Sequence, residues 1–240
     1  MLGSFRATIS ALPHLPDSLE PPPALLLHHW GDVQMFYAPF EYVNPKARVV
    51  LVGITPGPTQ MARALNCARE DINAAIPDDQ ILRRAKMAAS FSGSMRNRLV
   101  RMLDQVELNH LLDIQSTTRL FEAESMDAHF TSCIRHPAFN VVAGGAMRPY
   151  RGTPDMARHT SLRACLTEVL LPELSAVPNA VIVPMGATVE TALRALGGLD
   201  PARVVEGLPH PSGANGHYNR MLSEATPRVR DQLRSWFSHH

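Results

Sequence analysis

The sequence predicts an α/β protein, a three-layer α/β/α sandwich around a central, mainly parallel four-stranded sheet. Short apolar runs at 47–53 (ARVVLVG), 129–135 (HFTSCIR), 179–186 (NAVIVPMG) and 202–207 (ARVVEG) alternate with segments of helical composition. That alternation calls for crossover connections between parallel strands. The first run is apolar at nearly every position, as a strand covered on both faces must be. With 240 residues, 45% of them hydrophobic, the chain can bury one sizeable core.

Each element follows from local chemistry. Residues 1–45 read as an irregular arm packed on the body, and 46–240 as a single domain. Pro21, Pro22 and Pro23 precede ALLLHHWGDVQMF, which is expected to be helical because proline is well tolerated at a helix start. Segments 59–76 and 79–112 are expected as helices; in the second, Leu99, Met102, Leu103 and Val106 recur at helical spacing. Residues 140–154 read as a long loop, and 155–175 as a helix with Thr153 at its N-cap and Pro154 at its first turn. ATVETALRAL after the third strand and residues 219–237 are expected as the last helices.

Charge and cysteine usage exclude several classes. Lys and Arg total 23 against 22 Asp and Glu, a formal net charge of +1. No global basic field is present, so any polyanion contact must be local. Cys67, Cys133 and Cys165 form no CxxC pair, which argues against a disulfide framework or a structural zinc site and fits a reducing cytoplasm. The N-terminus has no continuous apolar stretch before Pro13 and Pro16, so it is expected not to be a signal peptide. A run of about 18 apolar residues is also missing.

In a parallel sheet the ligand sits beyond the carboxyl ends of the strands. Three loops there stand out, 53–60, 131–152 and 207–219, the first and last most of all. GITPGPTQ (53–60) is stiffened by Pro56 and Pro58 while Gly53 and Gly57 expose backbone, and it has neither the GxGxxG nor the GxxxxGK[ST] spacing. GLPHPSGANG (207–216) frames His210 between two prolines, a setting that core packing explains poorly. The other histidines, including His28, His29, His129 and His136, show no ligand-like spacing and read as loop or core residues.

Taken in order, GITPGP (53–58), SFSGSMRNRLVRML (90–103), FTSCIRHP (130–137), the stretch 153–193 and HPSGANG (210–216) resemble the motifs of the uracil-DNA glycosylase superfamily, over roughly residues 45–235. The resemblance implies a protein that extrudes a nucleotide from DNA and reads its base in a pocket. It implies that His210 donates a hydrogen bond to the departing base, that Phe91 stacks on it, and that backbone around Pro56 and Gly57 lines its edge. Ser212, Gly213 and Asn215 would meet phosphate, with Arg151 as a further DNA contact, and Asn215, His217 or Tyr218 would fill the gap left by the flipped base.

Two positions depart from the family pattern. Thr55 stands before Pro56 where active relatives carry Asp or Asn, and a hydroxyl orients water but is no base near neutral pH. The base-reading Asn aligns with Ser132, or with Thr131 if the register slips by one. Weak or altered base specificity is the implied result, with a non-catalytic nucleobase or DNA-binding module as the alternative. Cys165 falls where the iron–sulfur branches place one of four cysteine ligands, but no cysteine precedes Pro45, and the middle loop has Tyr150 or Arg151 where the DNA-crosslinking branch has His. Neither a metal, a cluster nor another cofactor is therefore expected, and the partner is DNA, bound by a monomer.

Overall fold

A computed structural model describes residues 1–17, 20–212 and 216–239. The N-terminal segment is more regular than its prolines suggest. Helix α1 (Leu2–Ser10) buries Leu2 and Ile9, two turns apart on one face. The segment after Pro23 is a hairpin, not the expected helix: β1 (Leu26–Trp30) and β2 (Val33–Phe36) pair antiparallel with Trp30 opposite Val33. Gly31, at φ +58°, turns the chain between them, and a two-residue Gly-containing turn outranks a proline start signal.

The core is organised on β3 (Val49–Gly53), whose five residues are all buried. Val49 and Leu51 join one hydrophobic cluster and Val50 and Val52 another, so alternate side chains serve opposite faces. Helices α2 (Pro58–Asn73), α3 (Asp78–Ala89), α4 (Ser94–Gln105) and the short α5 (Leu108–Leu111) follow. The expected single stretch 79–112 is thus three helices. It breaks where Phe91, Gly93 and Glu107 take φ of +49°, +82° and +63°, values that no α-helix sustains.

Strand β4 (Ala128–Ser132) lies parallel to β3, with Gly53 opposite Ser132. The expected loop at 140–154 instead supplies β5 (Ala138–Val141) and β6 (Met147–Pro149) to a four-stranded antiparallel sheet ordered β1-β2-β5-β6. The helix expected from 155 begins later. His159, not Thr153, caps α6 (Thr160–Ala164), its Nδ1 accepting from the Leu162 amide at 3.4 Å, and a π turn (Cys165–Leu170) leads into α7 (Leu171–Ser175). Pro172, which lacks an N–H, sits just beyond that widened turn.

Strand β7 (Val181–Pro184) completes a three-stranded parallel sheet in the order β4-β3-β7. The α/β class holds, but the single central four-stranded parallel sheet does not. Residues 202–207 fail as the fourth strand because Pro201–Arg203 forms a 3-10 turn, leaving one bridge between Val204 and Ile182. Beyond it Gly207 takes φ +109°, so the segment is broken at both ends. Helices α8 (Ala187–Leu196) and α9 (Tyr218–His239) end the chain. Residues of α4, α5 and α9 cover the Leu51 face, and those of α6, α7 and α8 the Val50 face. Among the described residues no helix is long and apolar enough to cross a membrane.

Candidate functional site

The loop after β3 is pinned before it reaches α2. The amides of Cys133 and Ile134 donate to the carbonyls of Gly53 (2.9 Å) and Ile54 (3.0 Å), extending the parallel ladder past the strand ends. The Thr55 hydroxyl donates to the His136 carbonyl at 2.8 Å and accepts from the Ala138 amide at 3.1 Å. Its proton is therefore committed to the protein, and one lone pair remains. Gly57 caps α2, with Pro58 at the first helical turn.

Pro56, Phe91 and Ser132 line one pocket at the carboxyl ends of β3 and β4, with Gln60 and Thr131 beside them. Its water-accessible space is about 20 Å³, room for a water but not for a ring. Gly53 lets the walls approach: a Cβ there would lie 3.2 Å from Ser132 Oγ and 3.7 Å from the Phe91 ring. Phe91 is buried at φ +49°, an unusual conformation for a bulky residue. Arg96 secures that turn, its Nη2 donating to the carbonyls of Met87 (3.2 Å), Ala88 (3.1 Å) and Ser90 (2.7 Å). Nothing in the sequence pattern singles out Arg96.

Lys86 and Arg135 also reach this pocket, and no sequence motif marks either. They converge on Glu173, which is 0% exposed at its side chain. Lys86 Nζ and His129 Nε2 meet Glu173 Oε1 at 3.0 and 2.9 Å, and Arg135 Nε and Nη2 meet Oε2 at 2.9 and 2.7 Å. Burial alone would raise the Glu173 carboxyl; Lys86, His129 and Arg135 instead hold it far below the usual carboxylate range. Burial, reinforced by Lys86, lowers His129 to about 4, leaving it neutral at pH 7. The signals available were a lysine on the apolar face of α3 and a glutamate inside LLPELS, each separately too common to mark a site.

His210 lines a neighbouring cleft with Ile54, Gly186, Pro209 and Met221. The Ser212 amide donates to His210 Nδ1 at 3.2 Å, which makes that nitrogen the acceptor and puts the proton of the neutral ring on Nε2. Burial, then the charge of Arg151, pushes the His210 pKa down. Gly186, at φ +90°, is pressed against it: a Cβ there would lie 2.9 Å from His210 Cβ and 3.1 Å from its backbone nitrogen. A third cleft contains Arg98, Arg101 and Tyr218, whose hydroxyl donates to the Arg98 carbonyl at 3.1 Å.

The loop 53–57 thus stands between two clefts, sending Pro56 into one and Ile54 into the other, while Thr55 bonds toward β5. Ser212 is half-buried and Arg151 exposed. Gly213 and Asn215 lie outside the described residues. Cys133 is buried, and Cys67 and Cys165 are partly so. Among the described residues no three His, Cys, Asp or Glu side chains are grouped to hold a metal ion.

A family model described as the Uracil DNA glycosylase superfamily matches residues 40–234. The chain is 33% identical over 216 residues to YoxB, an uncharacterized protein of Bacillus subtilis (strain 168), covering 88% of this chain and 82% of that one. Among solved structures it is similar to wild-type Pedobacter heparinus SMUG2, at 10% identity and a TM-score of 0.46, covering 97% of this chain and 96% of that chain.

Proposed function

The chain belongs to the uracil DNA glycosylase superfamily, and from that premise we propose that it binds a flipped base in DNA and hydrolyses its N-glycosidic bond slowly, with altered base specificity. The observation that carries this reading is the convergence of Pro56, Phe91 and Ser132 on one pocket at the carboxyl ends of β3 and β4. An apolar ring, a rigid backbone edge and a free-turning hydroxyl are what a flat polar ligand requires.

In this reading, cleavage sends negative charge onto the base and positive charge onto the sugar. His210 lines the adjoining cleft and not this pocket; in the widened pocket that takes the base, it donates from Nε2 to the base as that charge develops. Its lowered pKa keeps it neutral, so it acts as a hydrogen-bond donor and not as an acid. Thr55 offers water a lone pair but no proton, and the lack of a carboxylate base lowers the rate by about 10²–10⁴-fold. Phe91 stacks on the base, Ser132 reads its edge, and backbone at Pro56 and Gly57 confines it. Ser212, Gly213, Asn215 and Arg151 hold phosphate without reading sequence. The pocket must widen to admit a ring, which places base entry after DNA binding. The protein acts as a cytoplasmic monomer.

A non-catalytic module for a nucleobase or damaged DNA is the second reading, favoured by the engaged hydroxyl of Thr55. The test is base release from single- and double-stranded oligonucleotides containing uracil, hypoxanthine or an oxidised pyrimidine. Slow release abolished by His210→Ala is expected. No release of any of them at high protein concentration would remove the catalytic claim, and tight binding unaffected by His210→Ala would favour the second reading.

A further inference from the structure

The N-terminal arm runs along α2 in the opposite direction, anchored at successive turns of the helix. The Ser10 hydroxyl donates to Asn73 Oδ1 at 2.6 Å, Arg69 Nη1 donates to the Leu12 carbonyl at 3.4 Å, and Asn66 exchanges two bonds with the Leu15 backbone at 2.9 and 2.8 Å. Asp17 ends the run. Arg63 Nε and Nη2 reach its two carboxylate oxygens at 3.3 and 2.8 Å, and the Thr59 hydroxyl donates to its carbonyl at 2.9 Å. Positions 59, 63, 66, 69 and 73 recur at helical spacing, so the arm takes one stripe of α2. That stripe ends at the rim of the Phe91 pocket. Gln60, next to Thr59, lines the pocket with Pro56, and a Cβ on Gly93, in the turn that carries Phe91, would lie 3.9 Å from Thr59 Cγ2. Burial, and then the charge of Arg63, lowers the pKa of Arg96, which secures the same turn.

We propose that the arm is an autoinhibitory strap: its tip, Asp17, occupies a phosphate position formed by Arg63 and Thr59, and the backbone of a bound DNA strand displaces it. This rests on reading the protein as one that binds DNA at this pocket. At the rim the arm offers only acceptors, a carboxylate and a carbonyl, to two groups that only donate to it. A phosphodiester likewise brings acceptors alone, and a guanidinium fork takes carboxylate and phosphate in the same two-point geometry. Arg63 holds the Asp17 carboxyl below its ordinary range, so the tip is anionic at neutral pH. The contact is built to exchange. Arg63 and Asp17 are 41% and 51% exposed at their side chains, where an ion pair is weak and screened. Leu15, two residues back, is 4% exposed and anchors the arm, so release of the tip leaves the rest of the strap seated on α2.

The test is fluorescence anisotropy of a labelled single-stranded oligothymidylate with the full chain, titrated at several salt concentrations, for the unaltered protein, Asp17→Asn, Arg63→Gln and the double variant. Asp17→Asn is expected to tighten binding about two- to fivefold, the scale of an exposed ion pair. Arg63→Gln is expected to weaken binding and to lower the slope of log affinity against log salt by about 0.7, the loss of one phosphate contact on a single strand. In the double variant the gain from Asp17→Asn should vanish, because the site it uncovers is gone. A gain that persists without Arg63 would show a general charge effect and overturn the proposal, as would unchanged affinity in Asp17→Asn or no DNA binding by any of the four proteins. An Arg63-dependent gain without base release from uracil oligonucleotides would leave the strap standing and count against glycosylase action alone. Base release with Asp17→Asn binding no tighter would count against the strap alone.

Discussion

The backbone amide of Ser212 donates to Nδ1 of His210 at 3.2 Å, so a residue two positions away in the same loop decides which ring nitrogen is the donor. Burial and Arg151 both disfavour the imidazolium. Base release is therefore expected to stay level from pH 8 to 6.5 and not to rise as histidine is titrated. Pre-steady-state release measured across that range checks it; a rise toward low pH would mean that the charged ring is the active one.

Thr55 separates two requirements. Thr55→Asp places a carboxylate where water would need a base, and release is expected to rise by about tenfold or more. Thr55→Val leaves the Ala138 amide and the His136 carbonyl without their partner and is expected to cost about 1–3 kcal/mol. Single-turnover kinetics and urea unfolding read the two effects independently.

At Gly53 an added methyl meets Ser132 Oγ at 3.2 Å and the Phe91 ring at 3.7 Å. Gly53→Ala is expected to close the pocket at a cost of about 1–3 kcal/mol in stability. Loss of base binding with a retained cooperative melt is the expected pair of results.

Arg96 spans three carbonyls around the end of α3. Arg96→Ala is expected to speed hydrogen exchange at residues 89–93 and weaken base affinity about tenfold, because base–aromatic stacking supplies about 1–3 kcal/mol only while the ring is held in place. Exchange confined to the fast-exchanging termini would show that the turn holds without it.

Stability should fall on acidification below about pH 6.5. His129 and His136 each have a folded pKa of about 4 against an ordinary 6.5; burial is the first cause in both. Between those values the unfolded chain takes up protons that the folded chain refuses, so stability present above 6.5 is lost as pH drops, on the order of 3 kcal/mol for each histidine. The carboxyls of Glu41 and Asp71, raised by burial, act in the opposite sense at the lower end. Thermal melts from pH 7.5 to 4 measure the sum.

Local chemistry made part of this molecule legible. The run 47–53 announced a strand covered on both faces, and the stiff loop after it does separate two clefts. Pro56, Phe91 and Ser132 were singled out only by the resemblance of GITPGP, SFSGSMRNRLVRML and FTSCIRHP to family motifs, and they do line one pocket. Long-range pairings were not legible: β2 meets β5, and Lys86 meets Glu173, across intervals no single-sequence period spans. Residues 202–207 had strand composition, but Pro201 and Gly207 decided the backbone first.

Ile54 and Pro56 are two positions apart on one pinned loop, yet they belong to different clefts. One loop therefore borders both clefts, and the residue between the two, Thr55, is tied toward a second sheet. Substitutions on its two sides should be non-additive, and double-mutant cycles between Pro56 and His210 should measure a coupling although the two side chains line separate chambers.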